Sequence, residues 1–274
     1  MTVPDAPQEN NTDQSQGAVN GKLWIYTNYD CNLSCKYCVA ESTPTAPRRG
    51  LSLDTVHRLV DEGHALGFNH FFFTGGEPFI LNEIYDMVSY ALQYSQATVL
   101  TNAMLLRGKR LQRLVDIATP DLVIQVSLDG AQPEHHDAYR GDGTWIKTVE
   151  AIHRLQDHGF HLRLSTTETP ANTDHLEELH AFRLSLGISD ADHFVRPLAR
   201  RGFATEGIDV TMNCLLPEVT VTAEGVFWHP LAVPGNPDLQ VSQQIFPLAA
   251  AVETMQRKLR EILKNRAGAP QAVT

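Results

Sequence analysis

No apolar run in this 274-residue sequence is long enough to cross a bilayer as a helix. Basic residues are in deficit, with 22 Lys and Arg against 32 Asp and Glu and a formal charge of −10. That balance argues against broad binding to a nucleic-acid backbone, which needs a basic face, and leaves a cationic or neutral small substrate open. The first twenty residues, MTVPDAPQENNTDQSQGAVN, have neither the basic start nor the apolar stretch of a signal peptide, so residues 1–20 read as a disordered polar leader. Cysteine is scarce: there are four, and three of them fall within eight residues. A disulfide framework spreads its pairs through a short secreted chain, whereas clustered thiols point to metal or redox chemistry in a reducing compartment, here the cytoplasm. No Gly-x-Gly-x-x-Gly follows the first strand-like segment, so a dinucleotide-binding fold has no support.

What is present is an alternation of strand and helix patterns from Lys22 onward. LWIYT (23–27), FFFT (71–74), ATVLT (97–101), LVIQVSL (122–128), HLRLSTT (161–167) and DHFVRP (192–197) read as six strands. Helical periods lie between them: one capped by Ser52, one from Asn82, one around Leu111, one over 144–158 and one over 173–186. Strands separated by such helices pair in parallel through right-handed crossovers. The predicted fold is therefore α/β, a partial (β/α)6 barrel of the TIM type over 21–200, with its polar and glycine-rich points at the strand C-terminal ends where such barrels act. After Arg200 the pattern changes. VTVTAEGVFWHP (219–230) reads as a hairpin and 248–264 as an amphipathic helix, so 201–274 is expected to form a small cap over the barrel mouth.

The loop after the first strand carries Cys31-Asn-Leu-Ser-Cys35-Lys-Tyr-Cys38. One loop can wrap three thiolates around a cubane, whereas iron–sulfur clusters usually take four cysteines, so one iron is left with an open position. Cys214 is a distant alternative fourth ligand, and a zinc knuckle completed by one of twelve histidines is an alternative use of the loop. C-x3-C-x2-C with an aromatic before the last cysteine, followed one β/α unit later by Gly75-Gly76-Glu77-Pro78, resembles the radical S-adenosylmethionine (SAM) superfamily.

That resemblance implies an oxidoreductase-type enzyme with one [4Fe–4S] cluster on Cys31, Cys35 and Cys38. SAM would chelate the open iron and, on reduction, be cleaved to methionine and a 5′-deoxyadenosyl radical that removes hydrogen from a substrate. It also implies an electron donor such as flavodoxin or ferredoxin. Gly75 and Gly76 free backbone carbonyls for the SAM ammonium, and Glu77 adds a carboxylate for the same cation. Ser127 and Arg140 are expected at the SAM carboxylate and ribose, Arg through its two-pronged geometry. Thr101, Asn102 and Asp129 are candidates for the same contacts, with strand-end capping as the alternative, and Tyr37 is expected beside the cluster or adenine.

Arg196, with Arg200 and Arg201 behind it, stands where a barrel mouth could grip a substrate carboxylate or phosphate; the last two are assigned to solvent, as are His135 and His136. Glu168 faces the same mouth. The C-terminal segment resembles a degenerate SPASM or twitch extension, keeping Cys214 and Gly225 but reading Phe227-Trp228-His229-Pro230 where a second cysteine would fall. One thiol and one imidazole do not hold a second cubane, so no auxiliary cluster is expected, and Cys214 is read as a buried small hydrophobe. The substrate is expected to be a small metabolite or natural-product intermediate. The alternatives are a ribosomally made peptide or, in a different class, a non-catalytic iron–sulfur or zinc protein. No side chain is singled out as catalytic.

Overall fold

Alternation along the strands divides their side chains into two populations, because successive residues of a strand point to opposite faces. In the computed structural model, which describes residues 21–268, β1 (Lys22–Asn28) buries Leu23 and Ile25 completely on one face and turns Trp24 and Tyr26 to the other. β2 (His70–Gly75) repeats this with Phe71 and Phe73 against Phe72 and Thr74. β3 (Gln96–Thr101), β4 (Leu122–Ser127), β5 (His161–Glu168) and β6 (His193–Pro197) follow. The first population joins the main apolar core under the helices. The second turns polar toward the strand ends, where Ser127, Ser165, Thr167 and Arg196 line a common cavity.

The helices α1 (Leu53–Ala65), α2 (Ile84–Leu92), α3 (Lys109–Asp116), α4 (Pro133–Arg140), α5 (Thr144–Asp157) and α6 (Leu176–Ser185) connect the strands. Ser52 caps α1 as expected, its hydroxyl accepting from Thr55 N at 3.2 Å. α2 starts at Ile84 rather than Asn82, because Pro78–Ile80 forms a 3-10 turn first. α4 was not anticipated: proline at its start and Gly141 at its end are helix signals, but only His136 is buried, so no apolar period marks it. Strand order runs β6-β5-β4-β3-β2-β1 with every neighbour parallel, the wall of a partial β/α barrel.

The C-terminal segment departs from the expected cap. β7 (Thr220–Thr222) pairs in parallel with the free side of β1, and β8 (Gly225–Phe227) and β9 (Gln240–Ser242) extend the sheet antiparallel. The hairpin thus continues the barrel wall instead of lying over its mouth. α7 (Leu248–Gly268) packs outside, on α1, with Leu248 N donating to Glu62 Oε2 at 2.6 Å. One sheet and one core run across residue 200, since Leu23, Val221, Trp228 and Leu248 share the same cluster. The expected leader over 1–20 lies outside the described residues. No helix among the described residues is long and apolar enough to cross a membrane.

Candidate active site

The cysteine loop leaves β1 and is locked to the end of β2 mainly by backbone, with the Asn28 amide donating to Glu77 O at 3.2 Å. Gly76 N donates to Asn28 O at 2.8 Å and Glu77 N to Asp30 O at 3.0 Å. Gly75 has φ +133°, a region unfavourable to residues with a Cβ, and a Cβ on Gly76 would sit 2.1 Å from Asp30 O. The glycine pair therefore lets two strand ends touch, in addition to exposing backbone to the cavity that both residues line.

Glu77 corrects the sequence expectation. It is completely buried and does not line the cavity: Oε1 accepts from Phe79 N at 3.1 Å and Thr101 Oγ1 at 2.8 Å, and Oε2 from Asn102 N at 2.9 Å. Its carboxylate caps the 3-10 turn and ties β3 to the glycine loop rather than facing a ligand cation. Burial pushes its pKa up to about 7 against the pull of those three hydrogen bonds. Thr101 is a strand-end cap in the same network, also accepting from Ala103 N at 2.8 Å. Asn102 faces the cysteine loop, Nδ2 donating to Asn32 Oδ1 at 2.9 Å and to Cys31 Sγ at 3.9 Å.

Asp129 is likewise internal and outside the cavity lining. Oδ2 accepts from Arg140 Nε at 2.6 Å and from the Tyr37 hydroxyl, and Oδ1 from Thr167 N at 2.9 Å. The residue orients Arg140 and Tyr37, both of which line the cavity, and is not itself a ligand contact. Arg140 also lies over the Tyr37 ring, 5.3 Å from its centroid. His136, expected at the surface, is buried, its Nδ1 accepting from Asp129 N at 3.1 Å; burial and the Arg140 charge push its pKa down to about 4. Ser127 lines the cavity at the end of β4.

The same cavity takes in Arg196, Glu218 and His229. Arg200 is exposed and bonded to Asp209, as expected. Arg201, assigned to solvent from sequence, is buried and clamps the C-terminal segment: two guanidinium nitrogens lie 2.7 Å from the Asp238 oxygens and Nε donates to Leu231 O at 2.7 Å. Glu168 accepts from Thr173 at 2.6 Å and does not line the cavity. Cys214 is exposed, not buried, because its short turn faces outward; Sγ accepts from Thr211 N at 3.0 Å, which lowers the thiol pKa. Sequence reading passed over Tyr26, Ser165 and Thr167, whose signal was strand position with the same parity as Ser127 and Arg196, and weighed His229 only as a cluster ligand; all four line the cavity.

The residues present fit an iron–sulfur cubane. Cys31, Cys35 and Cys38 line one cavity of about 490 Å³. Leu33 N donates to Cys31 Sγ, a contact that favours thiolate there, and Ser42 N donates to Cys38 Sγ, both at 3.4 Å. Burial, with repulsion from Glu77, pushes the Cys31 thiol up to about 12, and burial pushes Cys35 up to about 11, so a cationic group is needed to hold them ionised together. Among the described residues the three sulfurs do not all lie within 4.8 Å of one another. Tetrahedral zinc, at about 2.3 Å per sulfur, would hold them about 3.8 Å apart, so the spread suits a larger group.

A three-thiol cavity at the C-terminal end of a parallel β/α wall is the architecture of a cluster-bearing barrel enzyme. A family model of the radical SAM superfamily matches residues 25–183, and the chain belongs to that superfamily, whose members are enzymes using a [4Fe–4S] cluster and SAM. Mycofactocin maturase MftC of Mycolicibacterium smegmatis is 31% identical over 180 residues, 65% of this chain and 45% of that protein. The AdoMet-dependent heme synthase of Nitratidesulfovibrio vulgaris is 30% identical over 155 residues, 56% of this chain and 40% of that one. The subtilosin biosynthesis protein AlbA of Bacillus subtilis is 30% identical over 183 residues, 65% and 37% respectively. The crystal structure of Streptococcus suis SuiB bound to SAM shares the fold at TM-score 0.59 and 17% identity, over 70% of this chain and 44% of that one. The chain thus spans less than half the length of each of these relatives.

Proposed function

We propose that this chain cleaves SAM reductively and uses the resulting radical to take hydrogen from a substrate held in the same cavity. The observation that carries the reading is the meeting of three clustered thiols, the Gly75–Gly76 backbone and Arg140 in one cavity. When bound, the cluster and SAM supply one-electron cleavage to a 5′-deoxyadenosyl radical. Cys31, Cys35 and Cys38 would hold three irons, and the carbonyls of Gly75 and Gly76 would accept from the SAM ammonium. Arg140, fixed by Asp129, would pair with the SAM carboxylate, and Ser127 would serve the ribose. Tyr37, anchored by the same aspartate, lines the cavity with the cysteines, and Asn102 donates to the Cys31 sulfur. Leu33, Val39 and Leu198 keep the cavity wall apolar and limit water.

The substrate would be a small metabolite or natural-product intermediate on the first reading, and a ribosomally made peptide on the second. A peptide substrate is favoured by a separate observation, the likeness to MftC, to AlbA and to the fold of SuiB, which has a structure bound to its precursor peptide SuiA. A flavodoxin or ferredoxin would supply the electron, in the cytoplasm, consistent with four unpaired thiols. The test is anaerobic reconstitution with iron and sulfide, reduction by dithionite, and detection of 5′-deoxyadenosine and methionine. Wild type should form both, and Cys35→Ala neither. A fully loaded wild-type protein that leaves SAM intact would overturn the proposal.

A further inference from the structure

The cavity holds two arginines in different surroundings. Arg140 lies beside Cys35 and is held by Asp129. Arg196 lies among Tyr26, Glu218 and His229. Its guanidinium is open to the cavity and makes no hydrogen bond or ion pair among the described residues. Its sequence neighbours are both satisfied, Arg200 by Asp209 and Arg201 by Asp238. Glu218 stands beyond ion-pair distance and is drawn to Lys22 at 3.7 Å. Tyr26 spends its hydroxyl proton on Pro230 O.

His229 complements the guanidinium. Its Nδ1 accepts from Leu231 N at 3.3 Å, which leaves the ring proton on Nε2 as a donor. Burial, with the Arg196 and Arg201 charges, pushes its pKa down to about 4, so the ring is neutral near pH 7. Leu198, Ile208, Val210, Leu215, Pro230 and Leu231 make the surrounding wall apolar.

Building on the SAM-binding reading above, we propose that the part of the cavity around Arg196 and His229 is a subsite for a substrate carboxylate, gripped by the Arg196 fork with His229 as a second donor. Charge selects the class. One free guanidinium matches a monoanion, whereas a phosphate dianion calls for another free cation, and Arg201 is committed to Asp238. SAM carries one carboxylate, which the arrangement assigns to Arg140 beside the cysteines. The carboxylate at Arg196 therefore belongs to a second molecule, a carboxylic acid with an apolar body. Such a group is carried by an N-acylated amino acid or by the free end of a peptide.

The experiment uses cluster-loaded protein with saturating SAM, kept anaerobic and unreduced. Affinities for N-acetyl-leucine, a tetrapeptide ending in free leucine, and the carboxamide of each are measured by calorimetry. Wild type should prefer at least one acid over its amide by about tenfold or more, the scale of a charge-assisted pair. Whichever acid binds more tightly identifies the source. Arg196→Gln should abolish the preference, Arg200→Gln should keep it, and the SAM affinity of Arg196→Gln should stay within about twofold of wild type. Equal binding of acids and amides by wild type, including no binding of either, overturns the subsite. So does a preference that survives Arg196→Gln, or a large loss of SAM affinity in that variant, which would return Arg196 to SAM. Failure of wild type to bind SAM would instead sink the preceding functional reading.

Discussion

Replacing Glu77 separates two roles that its motif alone leaves merged. In the structure its buried carboxylate satisfies Phe79 N, Thr101 Oγ1 and Asn102 N. Glu77→Ala leaves three buried donors without an acceptor, each worth about 1–3 kcal/mol, or about 3–5 kcal/mol together once the site relaxes. For a chain of this size that lowers Tm by about 10 °C. Glu77→Gln keeps one acceptor oxygen but turns an amide N–H2 toward Asn102 N, and should lose only about 1–2 kcal/mol.

The pH dependence has a definite sign. Burial raises the folded-state pKa from 4.5 to about 7, so the folded chain holds this proton more tightly than the unfolded one. The Glu77 contribution is fully present below the unfolded value and is lost as pH rises toward about 7, some 3 kcal/mol in all. Both variants should lack this decline. The assay is thermal and urea unfolding of apoprotein between pH 4.5 and 8, with SAM affinity of the loaded protein measured in parallel. A Glu77→Ala protein that keeps its Tm and its pH profile but binds SAM at least about tenfold more weakly would refute the reasoning, because the carboxylate would then be serving the ligand.

Reconstituted wild type should carry about four irons per chain, and Cys214→Ala should match it in iron and absorbance, since Cys214 is exposed and outside the cavity lining; a value near eight would restore an auxiliary cluster. Gly76→Ala should drive its Cβ into Asp30 O, displace the cysteine loop and lose iron on gel filtration, whereas retention of full iron would show that the close contact is soft. Asp129→Asn removes the charge that fixes Arg140 and the acceptor used by Tyr37, so SAM affinity should fall about tenfold or more with the cluster retained, and an unchanged affinity would detach this pair from SAM.

The chemistry-bearing motifs were legible because they are local. The three cysteines share one loop, and each strand's end is marked by its own residues, so thiol spacing and period-two alternation carry that information without any tertiary contact. The same holds for α1, whose cap and apolar period are contiguous, and fails for α4, which has no apolar stripe. The partners of each polar group were not legible. Glu77 and Asp129 stand in motifs that suggest ligand contact, yet their acceptors are consumed by Asn102, 25 residues away, and by Thr167, 38 residues away. The C-terminal hairpin reads as a hairpin in isolation, but only its parallel pairing with β1 makes it part of the wall. Sequence alone therefore determined the three-cysteine loop, the glycine turn and the β/α alternation, which follow from residue type and short spacing. Tertiary structure decided which carboxylates hold the scaffold and which arginine faces the cavity unpaired, because hydrogen bonding and burial depend on neighbours that the chain supplies from far away.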